Sequence, residues 1–231
     1  PITYQAKNRY SGSTVDNYIN KRKSVKWDNE QSIFKKKFEQ LDKDLKIIDI
    51  PVGTGRFFSF YEANSYDVTA VDISKDMLRM AKKNAPNSLK VKFEIGDAES
   101  LDYSNETFDC IVSARFLNWL PPKIYYKVLD EFIRISKNQL LIQVRLKDKV
   151  KVSKILGTLI KNISLRKIKK IIIRILFRKN IYKDYFVHPK KDTMDYLKMN
   201  FKNISIKEID TRYKYSKFEK HTFYLIHCSK K

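Results

Sequence analysis

Three aspartates and two glycines stand where a chain could hold a nucleoside. Asp49 closes the apolar run Ile47-Ile48, and Gly53 and Gly55 follow within one tight turn. Glycines there let the backbone take positive φ and approach a ligand closely. Asp72 ends a second run, Val68-Thr69-Ala70-Val71, where an acid can hydrogen-bond both hydroxyls of an adenosine ribose. Asp97 follows a third run, inside Gly96-Asp97-Ala98-Glu99. A dinucleotide fingerprint would need a further small residue at position 58; Phe58 stands there, so the pyrophosphate reading loses ground. Three further side chains have catalytic chemistry. Arg115 and Arg145 lie near the ends of a fourth and fifth run, and a guanidinium at a strand end can grip a carboxylate or phosphate. His188, before Pro189, has the basicity for proton transfer near neutral pH, against the alternative of a purely structural imidazole.

The elements that must position these residues alternate regularly. Strands are expected over Ile47–Ile50, Tyr66–Asp72, Leu89–Ile95, Phe108–Ser113 and Gln139–Arg145. Between them, Ser74 reads as an N-cap for a helix running to Asn84, and Pro121-Pro122 opens a helix with apolar residues at 124, 125, 128, 129, 132 and 133. Residues 33, 34, 38 and 41 give an earlier helix its apolar face. After a basic stretch come a helix over Asp192–Met199 and two alternating strands, Asn203–Ile209 and Thr222–Cys228. Such alternation implies a parallel sheet with helices on both faces, binding ligands beyond the C-terminal strand ends. That edge collects Gly53, Gly55, Asp72, Asp97, Ser113 to Asn118 and Arg145.

This series of strand-end motifs resembles the class I S-adenosylmethionine-dependent methyltransferases of the small-molecule, UbiE-like type, over residues 46 to 146. The resemblance implies a Rossmann-like α/β fold with a seven-stranded sheet, mostly parallel with an antiparallel C-terminal strand. It also implies S-adenosyl-L-methionine as cofactor. The glycine-rich motif falls on Asp49 to Gly55 and includes Thr54; the ribose acid falls on Asp72, and the adenine-edge acid on Asp97 beside Ala98. Ile73 and Met77 take the positions that sandwich the adenine, and Ser113 ends the fourth strand at the cofactor edge. The family usually has Gly where this chain has Pro51. The Tyr4, Arg9, Tyr10, Tyr18, Arg22 and Trp27 set resembles the N-terminal cover that many such enzymes fold across the cofactor; packing on the sheet edge is the alternative. The whole chain, 1–231, is expected as one domain: a cover segment over 1–45, a cofactor-binding core over 46–146, a basic helical insertion over 147–191, and a C-terminal helix with antiparallel strands over 192–231.

Composition narrows the acceptor. The chain is 42% hydrophobic and 13% aromatic, as a folded protein should be, and carries a net charge of +22. Much of the excess sits in 147–191, where Val152, Ile155, Leu156, Leu159, Ile160 and Ile163 keep helical spacing opposite lysines and arginines. Arg174 interrupts a second such run, so the segment suits a surface and not a crossing. It reads as a lid meeting an anionic membrane or acceptor, or else as an insertion with a solvated basic face. The Asn/Asp-Pro-Pro-aromatic tetrad of nucleic-acid amino-methyltransferases is missing, since Pro121-Pro122 is followed by Lys123, and Cys110 lies mid-strand, unlike a nucleophile. Two cysteines and three histidines offer no metal-ligand spacing. Residues 1–30 are polar and unlike a secretory leader, which points to a cytoplasmic, membrane-peripheral protein. The expected function is methylation of a small or lipid-linked acceptor, such as a surface-polysaccharide sugar or an isoprenoid or quinone precursor. An RNA methyltransferase and a catalytically silent partner subunit stand as alternatives.

Overall fold

The computed structural model describes residues 25–149, 186–214 and 219–230; the cover residues before Val25 and most of the basic insertion lie outside this set. The strands are β1 (Lys46–Asp49), β2 (Asp67–Asp72), β3 (Val91–Ile95), β4 (Phe108–Ser113), β5 (Ser136–Lys149), β6 (His188–Pro189), β7 (Asn203–Lys214) and β8 (Glu219–Ser229). They form one sheet in the order β3-β2-β1-β4-β5-β8-β7, with β6 pairing β5 off this path. The first five are mutually parallel, while β8 runs antiparallel to both β5 and β7. This is the expected Rossmann-like α/β architecture, enlarged by the two-residue β6.

Both faces of the sheet are apolar, and the alternation along β1 shows why. Ile47 and Ile48 point opposite ways, each fully buried, so each face needs a cover. Helices α1 (Val25–Phe38), α2 (Phe58–Ala63) and α3 (Lys75–Asn84) cover one face; α4 (Pro122–Ile135) and α5 (Lys190–Lys198) cover the other. On the first face Phe34 and Phe38 of α1 pack on Phe57 and Tyr61, with ring centroids 4.5 Å apart for Phe34 and Phe57. Each such ring, fully buried, contributes roughly 2–3 kcal/mol. The helix starts follow from local chemistry. Ser74 Oγ accepts the Met77 N–H at 3.3 Å, and Pro122 sits at the first position of α4, where its missing N–H costs nothing.

β5 is longer than expected from its apolar run. Its pairing with β4 ends at Ser113↔Ile142, yet it continues to Lys149 against β8, which in turn pairs β7 along its length. These three strands make an antiparallel wall rising past the C-terminal ends of β1, β2 and β4. The boundary at 147 is corrected accordingly: Lys147–Lys149 belong to the sheet because β8 offers them backbone partners.

The glycines give a direct test of this frame. A Cβ on Gly55 (φ +79°) would lie 2.2 Å from the Phe58 ring, whereas one on Gly53 (φ +59°) would meet nothing within 4 Å. Gly55→Ala is expected to cost about 2–4 kcal/mol, from left-handed strain plus overpacking, and Gly53→Ala only about 1–2 kcal/mol. Urea denaturation of the two variants checks the order.

Candidate cofactor and acceptor site

The loop after β1 is shaped by backbone pairing on both sides. Ile50 N–H donates to Val112 O at 2.9 Å and Val52 N–H to Val71 O at 2.8 Å, so the loop bridges the ends of β4 and β2. Pro51 spends no needed donor, and its peptide bond with Ile50 is cis. Gly53 then turns with positive φ and donates its N–H to Asp72 Oδ2 at 3.0 Å. Thr54 O accepts from Asn84 Nδ2 at 2.9 Å, which ties the loop to α3.

Asp72 is 5% exposed, and its other oxygen takes the Ser74 N–H at 2.9 Å. Burial pushes its carboxyl up to about 6, against the opposing pull of the Ser74, Gly53 and Ile73 amides. With about four lone-pair sites, the carboxylate keeps capacity for a further donor. Ile73, next along, is 39% exposed and presents an apolar face at this edge, while Met77 is buried at the start of α3. Asp97 lies half-buried after β3, its Oδ1 accepting the Glu99 N–H at 3.1 Å; Ala98 is buried beside it. Asp49 is different. It turns under the loop, accepts the Tyr61 hydroxyl at 3.0 Å, and is pushed up to about 8 by burial. It supports the loop from beneath.

The same edge holds three buried polar atoms with no hydrogen-bond partner among the described residues: Thr54 Oγ1, Ser113 Oγ and Asn118 Oδ1. They belong to the glycine loop, the last residue of β4 and the 3-10 turn Leu117–Trp119. Orphaned atoms of this kind cost about 1–3 kcal/mol each unless a ligand meets them. Open space at Gly53, the Asp72 and Asp97 carboxylates and these three groups fit a nucleoside cofactor carrying a polar amino-acid arm.

The expected catalytic residues do not converge. Arg115, at φ +56°, donates through Nε and Nη2 to Glu30 Oε2 at 3.0 and 2.6 Å. The same oxygen takes Arg56 Nη2 at 3.0 Å, and the Trp27 ring lies 4.2 Å from the Arg56 guanidinium and 5.0 Å from that of Arg115. Arg145 is held on the wall by Asp210 at 3.6 Å and stacks on Phe223 at 4.1 Å. His188 stands apart from the edge: it is 2% exposed, stacks 3.6 Å from the Tyr125 ring centroid and meets Leu117 O at 3.3 Å through Nε2. Burial holds it down at about 4, so it is neutral at pH 7 and a poor base. Such burial supports the structural alternative for His188 over proton transfer. Missed by the sequence reading were Glu30, Arg56 and Gln143; only Gln143 left a signal, as a lone amide within Leu140-Leu141-Ile142-Gln143-Val144.

Two outcomes follow from these carboxylates. Glu30 is 1% exposed, so Glu30→Gln removes the buried charge that both guanidiniums share, although Arg56 keeps its bond to Gln31, and is expected to cost about 3 kcal/mol, read from urea midpoints. A ribose hydroxyl pair would require Asp72 ionised, so on the expected ribose role S-adenosylhomocysteine affinity rises as pH climbs through about 6. The sign for the ligand-free protein is opposite: with the folded pKa raised above the ordinary 3.8, the contribution of Asp72 to stability is lost between there and about 6. Asp72→Asn should bind S-adenosylhomocysteine roughly 10- to 100-fold more weakly above pH 7 and lose the pH dependence, by calorimetry.

Residues 47–139 match a family described as a methyltransferase domain. Among curated relatives, the demethylmenaquinone methyltransferase of Paenarthrobacter aurescens is 32% identical over 93 residues, which are 40% of this chain and 34% of that protein. The malonyl-[acyl-carrier protein] O-methyltransferase of Halalkalibacterium halodurans is 35% identical over 98 residues, 39% of this chain and 35% of the relative. The chain thus spans about a third of the length of these relatives. In structure, the magnesium protoporphyrin IX methyltransferase of Synechocystis PCC 6803, solved with bound S-adenosylmethionine, superposes with a TM-score of 0.62 at 12% identity, covering 98% of this chain and 95% of that one; this likeness speaks to the fold. Over residues 47–139, then, the chain is similar to the class I S-adenosylmethionine-dependent methyltransferases.

Proposed function

We propose that the whole chain methylates a small or lipid-linked acceptor, with a quinone precursor as the leading class. The observation that carries the activity is the cradle at the ends of β1, β2 and β4: open space at Gly53 beside the buried Asp72 carboxylate, faced by the unpartnered Thr54, Ser113 and Asn118 atoms. In this reading Asp72 takes the ribose hydroxyls and Asp97 the adenine amino group, with Ile73 and Met77 against the ring. Thr54, Ser113 and Asn118 receive the amino-acid arm. When bound, S-adenosylmethionine supplies a methyl group on a sulfonium, whose departure leaves a neutral thioether. The residues around it then need mainly to align the acceptor and exclude water.

The acceptor class is supported by the relatives, which include demethylmenaquinone methyltransferases. Arg145 is met by Asp210, while Arg115 shares the single Glu30 carboxylate with Arg56. No described helix is long and apolar enough to cross a membrane. A lipid-linked acceptor would then be met from the side, through the amphipathic basic run in 147–191, most of which lies outside the described residues.

The test is transfer of labelled methyl from S-adenosylmethionine to short-chain demethylmenaquinol and, in parallel, to a lipid extract and total RNA. Label in the quinol or another extracted lipid is the expected result. Label in RNA alone would move the assignment to nucleic acid. Tight S-adenosylhomocysteine binding with no labelled product anywhere would mark a silent cofactor-binding subunit.

A further inference from the structure

Gln143 is the most anomalous side chain in the sheet. It is 0% exposed in the middle of β5, and neither its Oε1 nor its Nε2 has a hydrogen-bond partner among the described residues. Its neighbours Leu141, Ile142 and Val144 are all fully buried and apolar. A leucine would fill the same strand position without leaving a desolvated donor and acceptor, a cost of about 1–3 kcal/mol for each group.

Its place in the fold is specific. Ile142 is the last β5 residue paired with β4, opposite Ser113, so Gln143 sits immediately beyond the C-terminal end of β4. Strand alternation puts it on the face of Leu141, which packs with Leu225 beneath α1. Leu225 is its register partner on β8, and Arg145, two residues on, stacks over Phe223. The amide therefore lies on the antiparallel wall, among apolar and aromatic groups. Across that edge, Arg115 leaves the end of β4 towards Glu30 of α1.

We infer that Gln143 reads the methyl acceptor, by hydrogen-bonding an uncharged hydroxyl of it. This rests on the small-molecule reading above and deepens it. A side-chain amide offers one donor and one acceptor side by side. An anionic oxygen would satisfy Nε2 but repel Oε1, and a cation would do the reverse. A hydroxyl satisfies both, donating to Oε1 and accepting from Nε2. With Phe223 and Leu225 on the same wall, the matching ligand is a hydroxylated ring.

The probe pair is naphthol and naphthalene, titrated into S-adenosylhomocysteine-loaded protein by calorimetry. Wild type should prefer naphthol by roughly tenfold or more, since the unhydroxylated ring leaves the amide unpaired. Gln143→Leu should bind the two alike, keep S-adenosylhomocysteine affinity within about twofold, and melt at a higher temperature. Gln143→Met, of similar volume, serves in its place if the leucine variant does not fold. The inference is overturned if wild type shows no preference or binds neither ring. It also fails if the variants retain the preference, or if their S-adenosylhomocysteine affinity falls along with it, which would assign the amide to the cofactor. A naphthol preference that vanishes in the variants, with no methyl transferred to demethylmenaquinol, leaves Gln143 in place and removes the quinol assignment alone.

Discussion

One buried carboxylate oxygen holds the ligand edge of this molecule together. Glu30 Oε2 gathers Arg56, from the loop after β1, and Arg115, from the loop after β4, and it does so from a helix that precedes the sheet in sequence. Burying Glu30 and Arg56 is expensive, and it is offset by their mutual attraction, by the half-buried Arg115 and by the Trp27 ring against which each guanidinium lies. The loops cannot relax independently, because both answer to the same oxygen. Two guanidiniums against one carboxylate leave the cluster with a positive excess. This lies close to the buried Asp49, whose ionised form Arg56 favours.

The sheet edge is acid-rich inside a chain of strongly basic net charge. Asp49 and Asp72 are both pushed up by burial, and Thr54, Ser113 and Asn118 carry polar atoms that no described residue meets. A fold optimised only for stability would avoid all five. Here they cluster at three strand ends, where a ligand can reverse the destabilising terms.

The part of this arrangement that reads directly from the chain is the part made by local geometry. Strand, tight turn, glycine and acid follow one another within a few residues, so Gly53, Asp72 and Asp97 announce themselves, as do the Ser74 cap and the Pro122 helix start. The parallel sheet and its two helix-covered faces follow from the alternation. What stayed hidden is made by contacts between distant segments. Glu30 looks like any polar residue on a helix, and nothing nearby in sequence says that two arginines will find it. His188 carried the right chemistry, but its two-residue pairing with β5 and its stacking on Tyr125 are tertiary events that bury it. The length of β5 was understated because Arg145, Lys147 and Asp148 break the apolar run while the backbone, paired to β8, continues the strand.

The position of β8 has a bearing on how the chain comes to be folded. β5 is complete at Lys149, yet the strand that covers its outer edge begins only at Glu219. During synthesis the parallel half-sheet can assemble first, leaving the long apolar rim of Leu140, Leu141 and Ile142 as an open template for strand pairing. The sequence made during that interval is the most basic of the chain and is tethered to that rim. Like-charge repulsion between two nascent copies would keep their edges apart until β8 arrives.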